Sequence, residues 1–145
     1  MIDLSLEAAR IVVATALRTA RERNLKPLAV VVYDTRGALK CVEVEDGTSL
    51  RRAEIASGKA NGALALGMGT RAIHARAEQQ PYFVAAVTHV SGPAALVPVP
   101  GGVLIRNKDG RLLGAIGISG DTSDNDEICA VAGIEAAGLV AETGA

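Results

Sequence analysis

Two residue types in this chain could handle a small acid: Lys59, on an Ala-rich stretch, and Asp126, in an acidic cluster that opens an apolar segment. A lysine beside backbone N–H groups can hold a carboxylate, and an acidic side chain in the same pocket can accept a hydrogen bond or move a proton as general base. Asn61, Ser119 and Asp121 would add polar contacts. The competing reading of Lys59 is a lysine that extends its stem along apolar surface to reach water. His74 and His89 are the only histidines. Either is the right type for an axial haem ligand, but with distant cysteines they are too few for a structural zinc site. The alternative for His74 is a solvated imidazole between Arg71 and Arg76. No CxxCH motif occurs, which excludes covalent haem attachment.

Glycines form the most distinctive pattern. Gly114, Gly117 and Gly120 lie in or beside an expected strand, where each removes side-chain packing and lets another group approach the backbone. Either a ligand lies against this strand, with Pro100, Gly101 and Gly102 as an adjoining wall, or an Ala-rich helix or partner subunit packs there. The GxGxxG fingerprint at a strand-to-helix turn, the GxxxxGK[ST] loop and the GxSxG elbow are all missing. Asp121, Asp124, Asp126 and Glu127 lack calcium-loop spacing and suit a helix start; Asp126 is the candidate to enter a pocket.

The elements that must position these residues follow from periodicity. Apolar residues at spacings of three and four predict a helix over 4–24, with Ser5 as N-cap and Asn24 closing its end. Two short runs, 28–33 and 38–44, flank the turn Asp34-Thr35-Arg36-Gly37 and predict a hairpin. A second helix is expected over 49–66, ended by Gly67 and Gly69, and a shorter one over 70–78, stopped by Pro81. Residues 83–89 suit a strand or buried helix equally, and the prolines at 93, 98 and 100 make 91–101 a loop. Runs 102–106 and 111–118 flank Asn107-Lys108-Asp109-Gly110, a second hairpin. A last helix is expected from a cap at Ser123 or Asp124 to about 142. Two hairpins among helices imply an α+β domain with an antiparallel sheet and helices on one or both faces.

A chain of 145 residues is one domain's length, 1–145, able to bury a core without disulfide or metal staples. Its 15 Lys+Arg balance 16 Asp+Glu, and Phe, Tyr and Trp number three in all, so neither a basic footprint nor stacking platforms for nucleic acid are present. Cys41 and Cys129 are spaced as buried small hydrophobes. No apolar run reaches the roughly 18 residues of a membrane span, and the N-terminus has no leader pattern, which sets the expectation of a cytoplasmic protein.

Several segments together resemble the GlcG/HbpS-like family of haem-binding or haem-degrading proteins, similar also to the C-terminal domain of PduO-type proteins. They are Val30-Val-Val-Tyr-Asp34 with Gly37, Asp46-Gly47, Gly58-Lys59-Ala60 with Ala63, Pro100-Gly-Gly102, Gly114-Ala-Ile-Gly-Ile-Ser-Gly120 and Asp126-Glu-Ile-Cys-Ala130. The resemblance implies a profilin-like antiparallel sheet flanked by helices, and homo-oligomers, dimeric or larger. It also implies a small-molecule pocket near Pro100–Gly102 and Gly117–Gly120. Some members bind haem and others belong to the catabolism of small organic acids, so haem or a related tetrapyrrole and a small acid are both expected ligands. Val44 departs from the family's pattern, which places an Arg two residues before the Asp-Gly.

Overall fold

The computed structural model describes residues 3–145. The first helix, α1 (Leu6–Glu22), starts where Ser5 Oγ accepts the Ala8 N–H at 3.0 Å, and Asn24 follows its end with a positive φ of 54°. Its buried stripe is Ala9, Val12, Val13, Ala16 and Ala20. The first hairpin joins β1 (Ala29–Asp34) to β2 (Leu39–Val44). Asp34 shapes its turn by accepting the backbone N–H groups of Arg36 (2.9 Å) and Ala38 (3.1 Å), and Gly37 supplies the positive φ. Next come α2 (Arg52–Leu66), α3 (Thr70–Gln79) and α4 (Pro81–Val90). The segment whose periodicity left strand and helix open is therefore helical. Pro81 does more than stop α3: it also occupies the first turn of α4, where a missing N–H costs nothing.

The second hairpin joins β3 (Gly102–Arg106) to β4 (Leu112–Ser119), with Asn107 Oδ1 accepting two turn N–H groups. The helix α5 (Ser123–Ala136) and a strand β5 (Val140–Glu142) complete the chain. Here the expected helix to residue 142 is corrected. Gly138 adopts a left-handed φ of 75°, its N–H reaches Glu135 O, and the freed segment pairs with the edge of β3. The cap is also corrected: Thr122, one residue before the expected position, accepts the Asn125 N–H through Oγ1 at 3.2 Å.

All five strands are antiparallel, in the order β2-β1-β4-β3-β5, and the fold is the expected α+β class. Strand alternation gives the sheet two unlike faces. Val30, Val32, Val103, Ile105, Ile116 and Ile118 join residues of α1 and α5 in the main core. On the opposite face, Ala29, Val31, Leu104 and Ala115 meet Ala56, Ala60 and Ala63 of α2. At Gly117 an added Cβ would lie 1.8 Å from Ala56 O, so the backbone of α2 rests on the strand itself. The helices α3 and α4 form an appendage around a small cluster of Ile73, Val84 and Leu96. No helix among the described residues is long and apolar enough to cross a membrane.

Candidate functional site

The sheet-facing side of α2 carries a polar interruption. Lys59 lies in the Ala56–Ala60–Ala63 stripe, yet it is only 2% exposed and does not reach water. Its side chain passes the start of β3 to the end of β4, where Nζ donates to Ile118 O at 2.7 Å and to Asp126 Oδ2 on α5 at 3.2 Å. Asp126 is 1% exposed, and its second oxygen, Oδ1, accepts the Asp121 N–H at 3.1 Å. An ion pair thus ties a helix on one face of the sheet to a helix on the other. Gly101 makes the crossing possible. Its φ is +119°, and an added Cβ would lie 2.9 Å from Lys59 Nζ and 2.8 Å from Ile118 O. Gly102 is equally tight, because its Cβ would meet Lys59 O at 2.4 Å, and Thr70 Oγ1 accepts its N–H at 2.8 Å.

Burial pushes the Lys59 ammonium below its usual range and the Asp126 carboxyl above its own, while their contact opposes both shifts. The contact between the two groups and the hydrogen bonds each makes favour the charged forms against that burial. Among the described residues no buried side-chain polar atom lacks a hydrogen-bond partner, so each polar atom of this pair is bonded at least once within the chain.

The structure therefore brings Lys59, Gly101, Gly102 and Asp126 together in a closed junction, with buried Pro100 leading into it. Gly117 immediately precedes Ile118 in β4, opposite Gly102, and is covered by α2. Ser119 is buried, and its Oγ accepts from Arg52 Nη1 at 3.1 Å. Gly120, at φ +154°, lies against Pro27 O. The histidines lie elsewhere. His74 on α3 is tied at both nitrogens, Nδ1 3.2 Å from Pro98 O and Nε2 2.7 Å from Glu78 Oε1. His89 is exposed on α4.

Arg52 and Thr70 were not among the residues singled out by the sequence. Arg52 had a signal: it stands seven residues before Lys59, two turns along the same face of α2. Thr70, which brackets Gly102 with two hydrogen bonds, carried none.

Solved structures of similar shape cover nearly the whole chain. The PduOC complex with haem aligns with a TM-score of 0.83 at 24% identity, over 95% of this chain and 97% of that one. The ORFY protein of Klebsiella pneumoniae aligns at 0.81 and 23% identity, over 95% and 93%. HbpS aligns at 0.78 and 26% identity, over 93% and 90%. Comparison with curated proteins gives no match. Residues 4–135 match the model of the family described as haem degrading protein HbpS-like, and the chain belongs to that HbpS-like family.

Proposed function

We propose that this chain is a non-covalent haem-binding protein whose iron ligand is His89 on the outer face of α4. The observation that carries this reading is the surface around that imidazole. Tyr82, Ala85, Ala86, His89 and Val90 stand at i, i+3, i+4, i+7 and i+8, the spacing of one helix face, and all are exposed, Tyr82 by 70% and Val90 by 84%. A helix that presents an apolar stripe to solvent in an isolated chain is built to be covered. Unlike His74, His89 makes no side-chain hydrogen bond or ion pair among the described residues, so neither nitrogen has to be released before it ligates. The donor set fits haem in a second way, because the phenol of Tyr82 is also an iron-ligand type. Membership of the HbpS-like family and the likeness to the PduOC–haem complex support the same reading. Bound haem would supply redox chemistry at its iron; the chain's own part is to ligate it and exclude water from one face of the macrocycle.

One helix face covers one side of a flat ligand. A second copy of the chain would cover the other, so a homo-oligomer and an endpoint of one haem per two chains are expected. Titration of the sized protein with haemin should give a sharpened, saturable Soret band that His89→Ala abolishes and His74→Ala leaves intact. Spectra of free haemin at every ratio, or a response unaltered by His89→Ala, would remove this reading.

A further inference from the structure

Where β1 begins and β2 and β4 end, Lys26, Gly47, Thr48, Ser49, Arg52 and Gly120 line a cleft of about 190 Å³. Its volume is below that of pockets for drug-sized ligands and suits a molecule of a few heavy atoms. Six arginines of the described structure pair with carboxylates. Of the five that do not, Arg10, Arg23, Arg76 and Arg111 are exposed and only Arg52 is half-buried. Its Nε donates to Ser49 Oγ at 3.3 Å and its Nη1 to Ser119 Oγ at 3.1 Å. A guanidinium has five N–H donors, so three remain, one on Nη1 and two on Nη2.

Three of the neighbouring carboxylates are engaged elsewhere, and the fourth, exposed Asp46, lines the adjoining cleft with Arg21 and Glu45 and forms no ion pair with Arg52. Asp121 accepts from Lys26 N, Thr122 N and Asn125 Nδ2, Glu45 from Leu28 N and Arg21, and Asp126 from Lys59 and Asp121 N. A cation taken partly out of water, fixed by two hydroxyls and given no counter-charge, is a binding group without its partner. The Lys26 side chain, also without an ion pair among the described residues, adds a second positive charge at the rim.

We infer that this cleft binds a small oxyanion, and specifically a carboxylate, with Arg52 as its anchor. A planar guanidinium with N–H groups left on both terminal nitrogens matches the two oxygens of a carboxylate. Ser49 Oγ, which accepts from Arg52, keeps its own proton to donate to the same ligand. Lys59, the lysine first suited to this role, is closed off by Asp126 and Ile118 O, and Arg52 on the same helix face takes it over. The site is separate from α4 and independent of haem.

The test is an NMR titration of the full ¹⁵N-labelled chain with sodium malonate against sodium chloride at equal ionic strength, with inorganic phosphate as a further arm. Saturable shifts at the amides of Gly47, Ser49 and Gly120 are expected, weakened about tenfold by Arg52→Gln, which removes a charge-assisted pair, and about threefold by Lys26→Gln at the rim. Shifts reproduced by chloride, or an affinity unchanged by Arg52→Gln, would overturn the site. Tighter binding of phosphate than of malonate would overturn the carboxylate assignment. Should Arg52→Gln fail to fold, Ser49→Ala and Lys26→Gln at exposed positions carry the test, and no loss in either overturns it.

Discussion

The two faces of the sheet solve one problem with opposite materials. Toward α1 and α5, branched side chains fill the space between layers, from Val30 and Val32 to Ile116 and Ile118. Toward α2 the filling is alanine and glycine, and the gap is closed by bringing backbone to backbone, as at Gly117 and Ala56. Side chains can shift by rotamer changes to absorb an altered volume, but a helix backbone seated on a strand cannot. The face with less side-chain volume is therefore the less tolerant one. The only buried ion pair among the described residues lies beside it, because Lys59 on a close-packed helix needs no more than its own length to pass Gly101 and reach Asp126.

Substitution of paired positions on the two faces tests that contrast. Gly117→Val should abolish folding, read as loss of a cooperative urea transition, since its Cβ would lie on Ala56 O and no flexible group can yield. The neighbouring Ile118→Val, on the large-residue face, should cost only about 0.5–1.5 kcal/mol. Comparable losses at both positions would remove the distinction. Next in size is the ion pair. Asp126→Ala leaves the Lys59 charge buried without its partner and should cost about 3–5 kcal/mol, whereas the double variant Lys59→Met/Asp126→Leu should recover most of it. In Asp126→Ala the folded pKa of Lys59 lies below its unfolded value of 10.5, so the folded state releases its proton first and stability should rise with pH up to that value. A double variant as unstable as the single one would show that the junction works through something other than charge.

The same contrast explains what the sequence disclosed. Periodicity located α1 and both hairpins closely, because the large-residue face writes its burial into side-chain type. The Gly114-Ala-Ile-Gly-Ile-Ser-Gly120 stretch declares that something approaches the strand, but a glycine names no neighbour, and a packed helix, a partner subunit and a ligand all fit it. At Gly117 the neighbour is α2. The end of α5 departs from the expectation because Leu139 continues the stripe of Ile128, Val131 and Ala132 past Gly138, where the backbone turns into a strand paired with β3. For the site, Lys59 and Asp126 were both legible as chemistry. Their closure onto each other was not, since it depends on the packing of α2 and α5 on opposite faces of the sheet and on the space that Gly101 leaves for Lys59 to cross between them. The pairing of Arg52 with Ser119, 67 residues away, is likewise a product of the seating of α2 on β4 rather than of local pattern.

The smallest expected effect sharpens the comparison at the boundary between the faces. Asp121 joins the segment entering β1 to the first turn of α5, and its carboxylate accepts from Asn125 Nδ2, Lys26 N and Thr122 N. Those bonds lower its pKa to about 2 from 3.8. Asp126, five residues on, is shifted the other way by burial. A carboxylate with a depressed folded pKa stabilises the fold above its unfolded value, and that stabilisation disappears as pH falls through the folded one. Stability should therefore decline from about pH 4 toward pH 2, and Asp121→Asn, which carries no charge to lose, should flatten the slope. Asp34, also held below 3.8 once Arg36 and two backbone N–H groups outweigh its burial, leaves a residual slope. The check is the urea midpoint measured between pH 5 and pH 2 for both proteins; identical slopes would mean that the acid sensitivity arises within the faces and not at the strap between them.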